Sequence, residues 1–335
     1  MRHPRTFRNM WLLVLTASLF SSPPLRANDE LIPLGAGGLI LTKPSQVALE
    51  SEKVQISVHE ITVKYVFRNI GDDDVDATVE FPLPKLDGAM VENLPLQFPS
   101  DDPVDFLSFK VWVDGKRVFP TTQIRAFSYG RDITDRLRAL GLPISVLDPS
   151  MEDAINRLPN AQREQLEREH VIVSEEIPQQ LEQHRWPEWE MRVRYYWTQH
   201  FPSNTNIEVL HTYRPIVGRT DIDSEDKEQS VVGRFCGGLA AAKQIKDWKT
   251  QLGATGPESD TALYGRSVRY APTDGRSWGG PIRNFALVVE SDSTDDMVLT
   301  CMPGIKKSGP KRYEVELQNF RPDGELDVLI LQAQQ

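Results

Sequence analysis

The sequence has 335 residues, with 38 Lys and Arg against 48 Asp and Glu, a formal charge of −10. So acidic a chain is a poor partner for nucleic acid or anionic lipid, since both are bound through positive charge. Its hydrophobic content of 39% can fill the cores of about two domains, and no segment beyond the N-terminal stretch is long and apolar enough to be a transmembrane helix.

The chain opens MRHPRTFRNMWLLVLTASLFSSPPLRANDE. Arg2, Arg5 and Arg8 form a basic lead, and Trp11 to Phe20 is an apolar run too short to span a bilayer as a helix. Pro23 and Pro24 end it, and Ala27 offers a small residue for cleavage. Residues 1–27 are expected to be a cleaved signal peptide, with an uncleaved anchor as the alternative. Losing this segment removes four Arg and no acid, so the exported chain is more acidic still. Its expected location is periplasmic or secreted, with no transmembrane segment after cleavage.

From Leu31 the pattern is β. Val54, Ile56 and Val58 alternate with polar residues, as do Ile61, Val63, Tyr65 and Phe67. This two-residue period marks half-buried strands. NIGDDD is the turn before a strand carrying Val75, Ala77, Val79 and Phe81. Phe109, Val111 and Val113 lead into Asp114-Gly115, a hairpin turn, and Val118 and Phe119 return. Residues 28–130 are expected to form an antiparallel β-sandwich.

The character changes at Arg131. Ile133, Leu137 and Leu140 have helical spacing, and Gly141 supplies a stop. One or two further short helices follow, with Asp148 or Ser150 as cap and Pro159-Asn160 as a break, and SEEIPQQLEQHRWPEWE reads as polar connector. Residues 131–185 are taken as a helical insertion outside the core, followed by a C-terminal β-rich domain over 186–335. There, Val193, Tyr195 and Trp197 face one way. PSNTN turns the chain, and Ile207, Val209, His211 and Tyr213 return, so the two segments are expected to pair as a hairpin. One helix is expected from about Leu239 to Leu252, and further strands in NFALVVES, MVLTCMP, KRYEVELQNF and ELDVLILQA. The expected fold class is mostly β: two antiparallel β-sandwich-like parts, a small helical insertion between them, and one helix in the C-terminal part.

The segments LGAGGLILTKPSQVALESEKVQIS, YYWTQHFP, EVLHTYRPIVG, SWGGPIRNFALVVE and FRPDGELDVLIL occur in this order. Together they resemble the bacterial family designated domain of unknown function 4424, whose members are exported proteins of about this length. The resemblance spans about Glu30 to Leu331. It implies an exported β-rich protein without an assigned activity and supplies no catalytic residue. VKYVFRNIGDDDVDATVEFPLP, followed by VWVDGKRV, is similar to interaction domains of the vault/inter-alpha-trypsin type, which by analogy implies a partner-binding role.

Cys236 and Cys301 would be exposed to an oxidising compartment, where a disulfide is the default and two separate buried thiols the alternative. Sixty-four residues between them and no His pair nearby do not make a zinc site. His59, His170, His184, His200 and His211 form no H-E-x-x-H or Cys/His cluster. His200 and His211 fall on opposite phases of their strands, so they are expected to face apart. No G-x-S-x-G is present, and GAGG at Gly35–Gly38 lacks the Lys of a phosphate loop. DDD at Asp72–Asp74 and DSTDD at Asp292–Asp296 lack calcium-loop spacing and read as solvated turns. No catalytic, cofactor or metal residue is therefore assigned. Trp278, Trp186 and Trp189 are the candidates for ligand or partner contact, because indole rings stack on sugars and anchor interfaces; packed loop anchors are the alternative. The expected function is a non-catalytic binding or assembly module of the bacterial envelope, whose partner is a protein or other envelope component. The alternative is an extracytoplasmic hydrolase with its site between the two β parts.

Overall fold

Alternation sets the faces of the strand Ile61–Asn69: Ile61, Val63, Tyr65 and Phe67 are buried, while Lys64 and Arg68 are exposed. The computed structural model describes residues 34–42, 46–93, 97–176, 183–251, 263–272 and 280–333; the expected signal peptide lies outside them. Three larger sheets and one two-stranded ribbon carry these residues, with six helices among them. The fold is mostly β, as expected.

The largest sheet has eight strands in the order 306–309, 312–320, 282–290, 47–56, 61–69, 206–213, 110–113, 116–118. All its neighbours are antiparallel except 47–56 and 282–290. A six-stranded antiparallel sheet orders 131–132, 121–128, 190–201, 75–82 and 40–42, with 86–87 also on 190–201. A five-stranded sheet orders 36–37, 263–271, 326–333 and 297–300, with 218–222 also on 263–271. Strands from before residue 130 and after residue 186 share all three sheets, so strand pairing does not follow the expected division at these boundaries.

The hairpin at 110–118 forms as expected, with Asp114 and Gly115 both at positive φ, as a two-residue primed turn requires. The hairpin expected across PSNTN does not. Glu190–Phe201 lies in the six-stranded sheet between 121–128 and 75–82, and Asn206–Tyr213 lies in the eight-stranded sheet between 61–69 and 110–113. Asn206–Tyr213 pairs along its whole length with 61–69 and over Val209–Thr212 with 110–113, so the chain arches across to the other sheet. A second arch, from 61–69 to 75–82, crosses beside it. Asn69 joins the two: its Nδ2 donates to the carbonyls of Asp73 and Phe201, and the Ser203 amide donates to Asp74 Oδ1.

The main core fills the space that the arches span. Phe81 stacks on Phe109 with centroids 4.3 Å apart, Phe109 on Tyr195 at 5.0 Å, and Tyr65 on Phe67 at 5.5 Å. The space between these sheets is thus occupied by aromatic side chains.

The insertion does belong to the core, contrary to expectation. Helices Thr134–Ala139, Met151–Asn156 and Asn160–Arg168 bury Leu137, Met151, Ile155 and Leu166 in the same apolar cluster as the sheets. The polar connector is likewise structured: Ile172–Glu176 and Gln183–Pro187 pair antiparallel. Sparse apolar positions at three- and four-residue spacing suffice for short amphipathic helices that are stabilised by tertiary packing and not by propensity.

The described residues of the C-terminal part include two helices. Gly238–Gln251 matches the expectation, and Glu225–Arg234 precedes it. Ser224 caps the latter by accepting from the Lys227 amide, with Glu225, Asp226 and Glu228 in the first turn, an arrangement that satisfies orphan N–H groups and the helix dipole. Both helices pack on the five-stranded sheet through a smaller cluster, including Val231, Phe235, Ala241, Ile245, Leu299 and Leu331.

Candidate functional site

Sequence places Ala240, Ala241, Gln244 and Trp248 on one side of the helix Gly238–Gln251, at helical spacing. These residues form one wall of an open cleft of about 760 Å³. Its floor is Met297, Val298 and Leu299 from the strand Met297–Thr300, and its far wall is Lys307 and Tyr313 from the edge of the eight-stranded sheet. Thr294, Asp295 and Asp296 close one end.

Beside the cleft the chain is covalently fixed. Cys236 and Cys301 form a disulfide with Cα atoms 5.0 Å apart, as the export reading expects. It ties the turn before the cleft helix to the end of the cleft strand. That turn is sharp: Cys236 and Gly238 both have positive φ. Between them, Gly237 has room for no side chain, since a Cβ there would lie 2.7 Å from Ala241 Cβ and 3.2 Å from Leu299. Small residues at 237, 240 and 241 thus bring helix and strand together below and leave space above.

The acidic turn DSTDD is held by hydrogen bonds and cations. Asp296 is buried; it accepts from the amides of Asp292 and Ser293 and from Gln332 Nε2. Asp292 faces Arg266 at 2.5 Å and His59 at 3.1 Å, and Lys311 donates to its carbonyl. Burial opposes ionisation of Asp292, but the Arg266 and His59 contacts win and lower its pKa. Lys307 Nζ donates to the Thr294 carbonyl at 3.3 Å and lies 5.5 Å from the Tyr313 ring centroid. The cleft therefore offers indole and phenol rings, a placed ammonium, a carboxylate and an amide over an apolar floor. Both cysteines beside it are consumed in the disulfide.

Neither of the two described candidate tryptophans lines this cleft. Trp278 lies outside the described residues. Trp189 is fully buried, its Nε1 donating to the Ile144 carbonyl at 3.0 Å; it packs in the core and presents no face to a partner. Trp186 is half-buried beside His184, with ring centroids 5.2 Å apart. His184 itself contacts Glu92 at 2.7 Å and Glu152 at 3.0 Å. Burial works against its charge, but these two carboxylates raise its pKa.

His200 and His211 do face apart. His200 is exposed and bonds Asp76 at 2.8 Å, which raises its pKa. His211 is buried among Tyr65, Phe81, Phe109 and Tyr213, and burial pushes its pKa down to about 3. Deeper still, the Tyr270 hydroxyl donates to Glu52 at 2.6 Å and lies 3.2 Å from the Tyr65 hydroxyl. No group of three or more His, Cys, Asp and Glu side chains among the described residues could hold a metal ion.

Sequence reasoning missed Trp248, Lys307 and Tyr313. Trp248 could have been found from its place four residues after Gln244 on a predicted helix. Lys307 and Tyr313 could not, because their approach to that helix depends on how two sheets sit together.

The model of a family described as "Domain of unknown function (DUF4424)" matches residues 27–329. The chain belongs to that family. As a member of DUF4424 it is similar to a solved structure described as a putative nutrient binding protein from Legionella pneumophila. Identity is 15%, with 90% of this chain and 72% of that chain covered at a TM-score of 0.47. No curated protein matches this DUF4424 chain. No helix among its described residues is long and apolar enough to cross a membrane.

Proposed function

We propose that this chain is an exported, non-catalytic binding or assembly module of the bacterial envelope, and that the cleft beside the helix Gly238–Gln251 is where it holds its partner. One observation carries the reading: an open cleft with aromatic and ionic walls over an apolar floor, with a disulfide tying the turn before its helix to the end of its strand. Concave sites of this size that combine apolar surface with a few placed polar groups are ligand and partner sites. The disulfide fits an oxidising compartment, and the basic, apolar N-terminal segment before Asn28 supplies the export signal. The similarity of the N-terminal strands to vault/inter-alpha-trypsin type interaction domains points the same way by analogy.

Two measurements test this. Purified protein should turn over none of a panel of ester, peptide and glycoside substrates; turnover that Trp248→Ala abolishes would overturn the non-catalytic reading. In cells, a photo-crosslinking residue at Gln244 should trap an envelope component that one at the remote, exposed Arg157 does not. Equal trapping at both positions would remove the cleft from the function.

A further inference from the structure

The strand Met297–Thr300 is an edge. It pairs antiparallel with 326–333, from Met297 opposite Leu331 to Thr300 opposite Val328. Among the described residues no strand pairs with its other side. An antiparallel strand directs its backbone N–H and C=O groups to alternate sides, one residue's pair inward and the next outward. Half the backbone groups of this strand are therefore presented away from the sheet.

What lies beyond that edge is the cleft. Sheet edges in soluble proteins are usually short, charged, bulged or covered, because a free edge recruits another strand. This one carries no charge, is apolar from Met297 to Leu299, and borders the open cleft. The helix wall runs along one side and Lys307 and Tyr313 along the other. An edge strand flanked by a helix across an open groove has the geometry of strand addition, in which main-chain hydrogen bonds give affinity and alternate side chains give specificity.

We propose that the partner held in this cleft is an extended peptide segment that adds as a strand to the free edge of Met297–Thr300. This rests on the cleft being the binding site. Four residues at ~3.3 Å each give an edge of roughly 13 Å, enough to seat about four residues of the partner. Alternate side chains of an added strand point to opposite faces. One set lies over Ala240 and Ala241 and against Trp248, where small residues leave room for apolar side chains. The other set meets Lys307 and Tyr313 and is polar. The partner is thus a segment of alternating apolar and polar residues, with affinity shared between backbone and side chains.

The test uses the disulfide-intact chain and an immobilised array of heptapeptides in which Val, Leu, Phe or Tyr alternates with Thr, Lys or Glu. The best binder is compared with the same peptide N-methylated at alternate amides, in both phases. One phase should lose about tenfold or more in affinity, as loss of two backbone hydrogen bonds in a cleft requires, and the other little. Hydrogen exchange should slow at the outward amides of Met297–Thr300 when peptide is added. Ala240→Arg, a change at an exposed helix position, should abolish binding without altering the melting temperature. An array with no binder, methylation that is harmless in both phases, or edge amides that exchange as before would overturn strand addition. So would slowed exchange that depends on protein concentration alone, which identifies a second copy as the occupant. If strand addition fails but crosslinking at Gln244 remains site-specific, the cleft stands as the binding site and only the peptide partner is lost.

Discussion

The two cores of this protein bury their surface in different ways. Between the eight- and six-stranded sheets, Tyr65, Phe67, Phe81, Phe109, Tyr195 and Tyr213 interlock, and four of their ring pairs lie 4.3 to 5.5 Å apart. Between the five-stranded sheet and its two helices, the filling is mainly Ile222, Val231, Ala241, Ile245, Leu263, Leu299, Leu329 and Leu331, with Phe235. Aromatic residues each bury a large area and hold neighbours in fixed offset geometry. The smaller core lacks this and is closed by Cys236–Cys301 instead. The lesson is that a thin layer built on small residues can leave a cleft at its edge, and a covalent tie compensates for the contacts that the cleft displaces.

Substitutions can break this contrast. The largest effect is expected from Phe81→Ala, which removes a fully buried ring touching Phe109, His211 and Tyr213. It should cost ~3–5 kcal/mol, read from urea unfolding, with slowed hydrogen exchange lost across both large sheets. Replacing Cys236 and Cys301 together by Ala should cost about 4 kcal/mol from chain entropy. That loss should fall first on the smaller core: exchange in Gly238–Gln251 should rise before exchange in Ile61–Asn69. Simultaneous loss in both regions would show that they are one cooperative unit.

The two differently placed histidines sharpen the contrast through pH. His211 has no protein partner for either ring nitrogen, and burial holds its pKa at about 3, against roughly 6.5 in an unfolded chain. The unfolded state therefore takes the proton first. Its contribution to stability is complete above about pH 6.5 and falls as pH drops, at up to ~1.4 kcal/mol per unit. His211→Phe should remove this slope and leave stability at neutral pH equal or higher, since an unpaired buried polar group gives way to an apolar one. An unchanged acid limb in the urea midpoint from pH 6.5 to about 4 would refute this. The smallest effect belongs to His184. Glu92 and Glu152 raise its pKa, so its contribution is full below the unfolded value and is lost as pH rises through the raised one. As a partly exposed ion pair it should be worth less than about 1 kcal/mol. His184→Gln should abolish any alkaline loosening of the helix Met151–Asn156, as seen by hydrogen exchange.

Much of this was legible beforehand, for a physical reason. Alternation in Ile61–Phe67, Val75–Phe81 and Val193–Trp197 marked the buried faces correctly, because side-chain direction in a strand is local. The turn at Asp114-Gly115 was legible because its positive φ values favour those residues. Alternation could not say which strand lies beside which. Tyr195 and Tyr213 face the same core whether their strands form a hairpin or an arch, and only the pairing of Asn206–Tyr213 with 61–69 and 110–113 decides for the arch. The insertion was underestimated because Leu137, Met151, Ile155 and Leu166 are spread thinly among charges.

What the sequence determined by itself is the local geometry: strands and their buried faces, the helix Gly238–Gln251, two cysteines available for pairing, and a family resemblance that the matched region bears out. The tertiary structure decided the rest. It put strands from both ends of the chain into shared sheets, set the paired cysteines beside a cleft, and left one edge of Met297–Thr300 without a neighbouring strand among the described residues. Backbone dihedrals and side-chain periodicity act over a few residues and are written in order along the chain. The cleft joins positions from Gly237 to Tyr313 that meet only through long-range strand pairing.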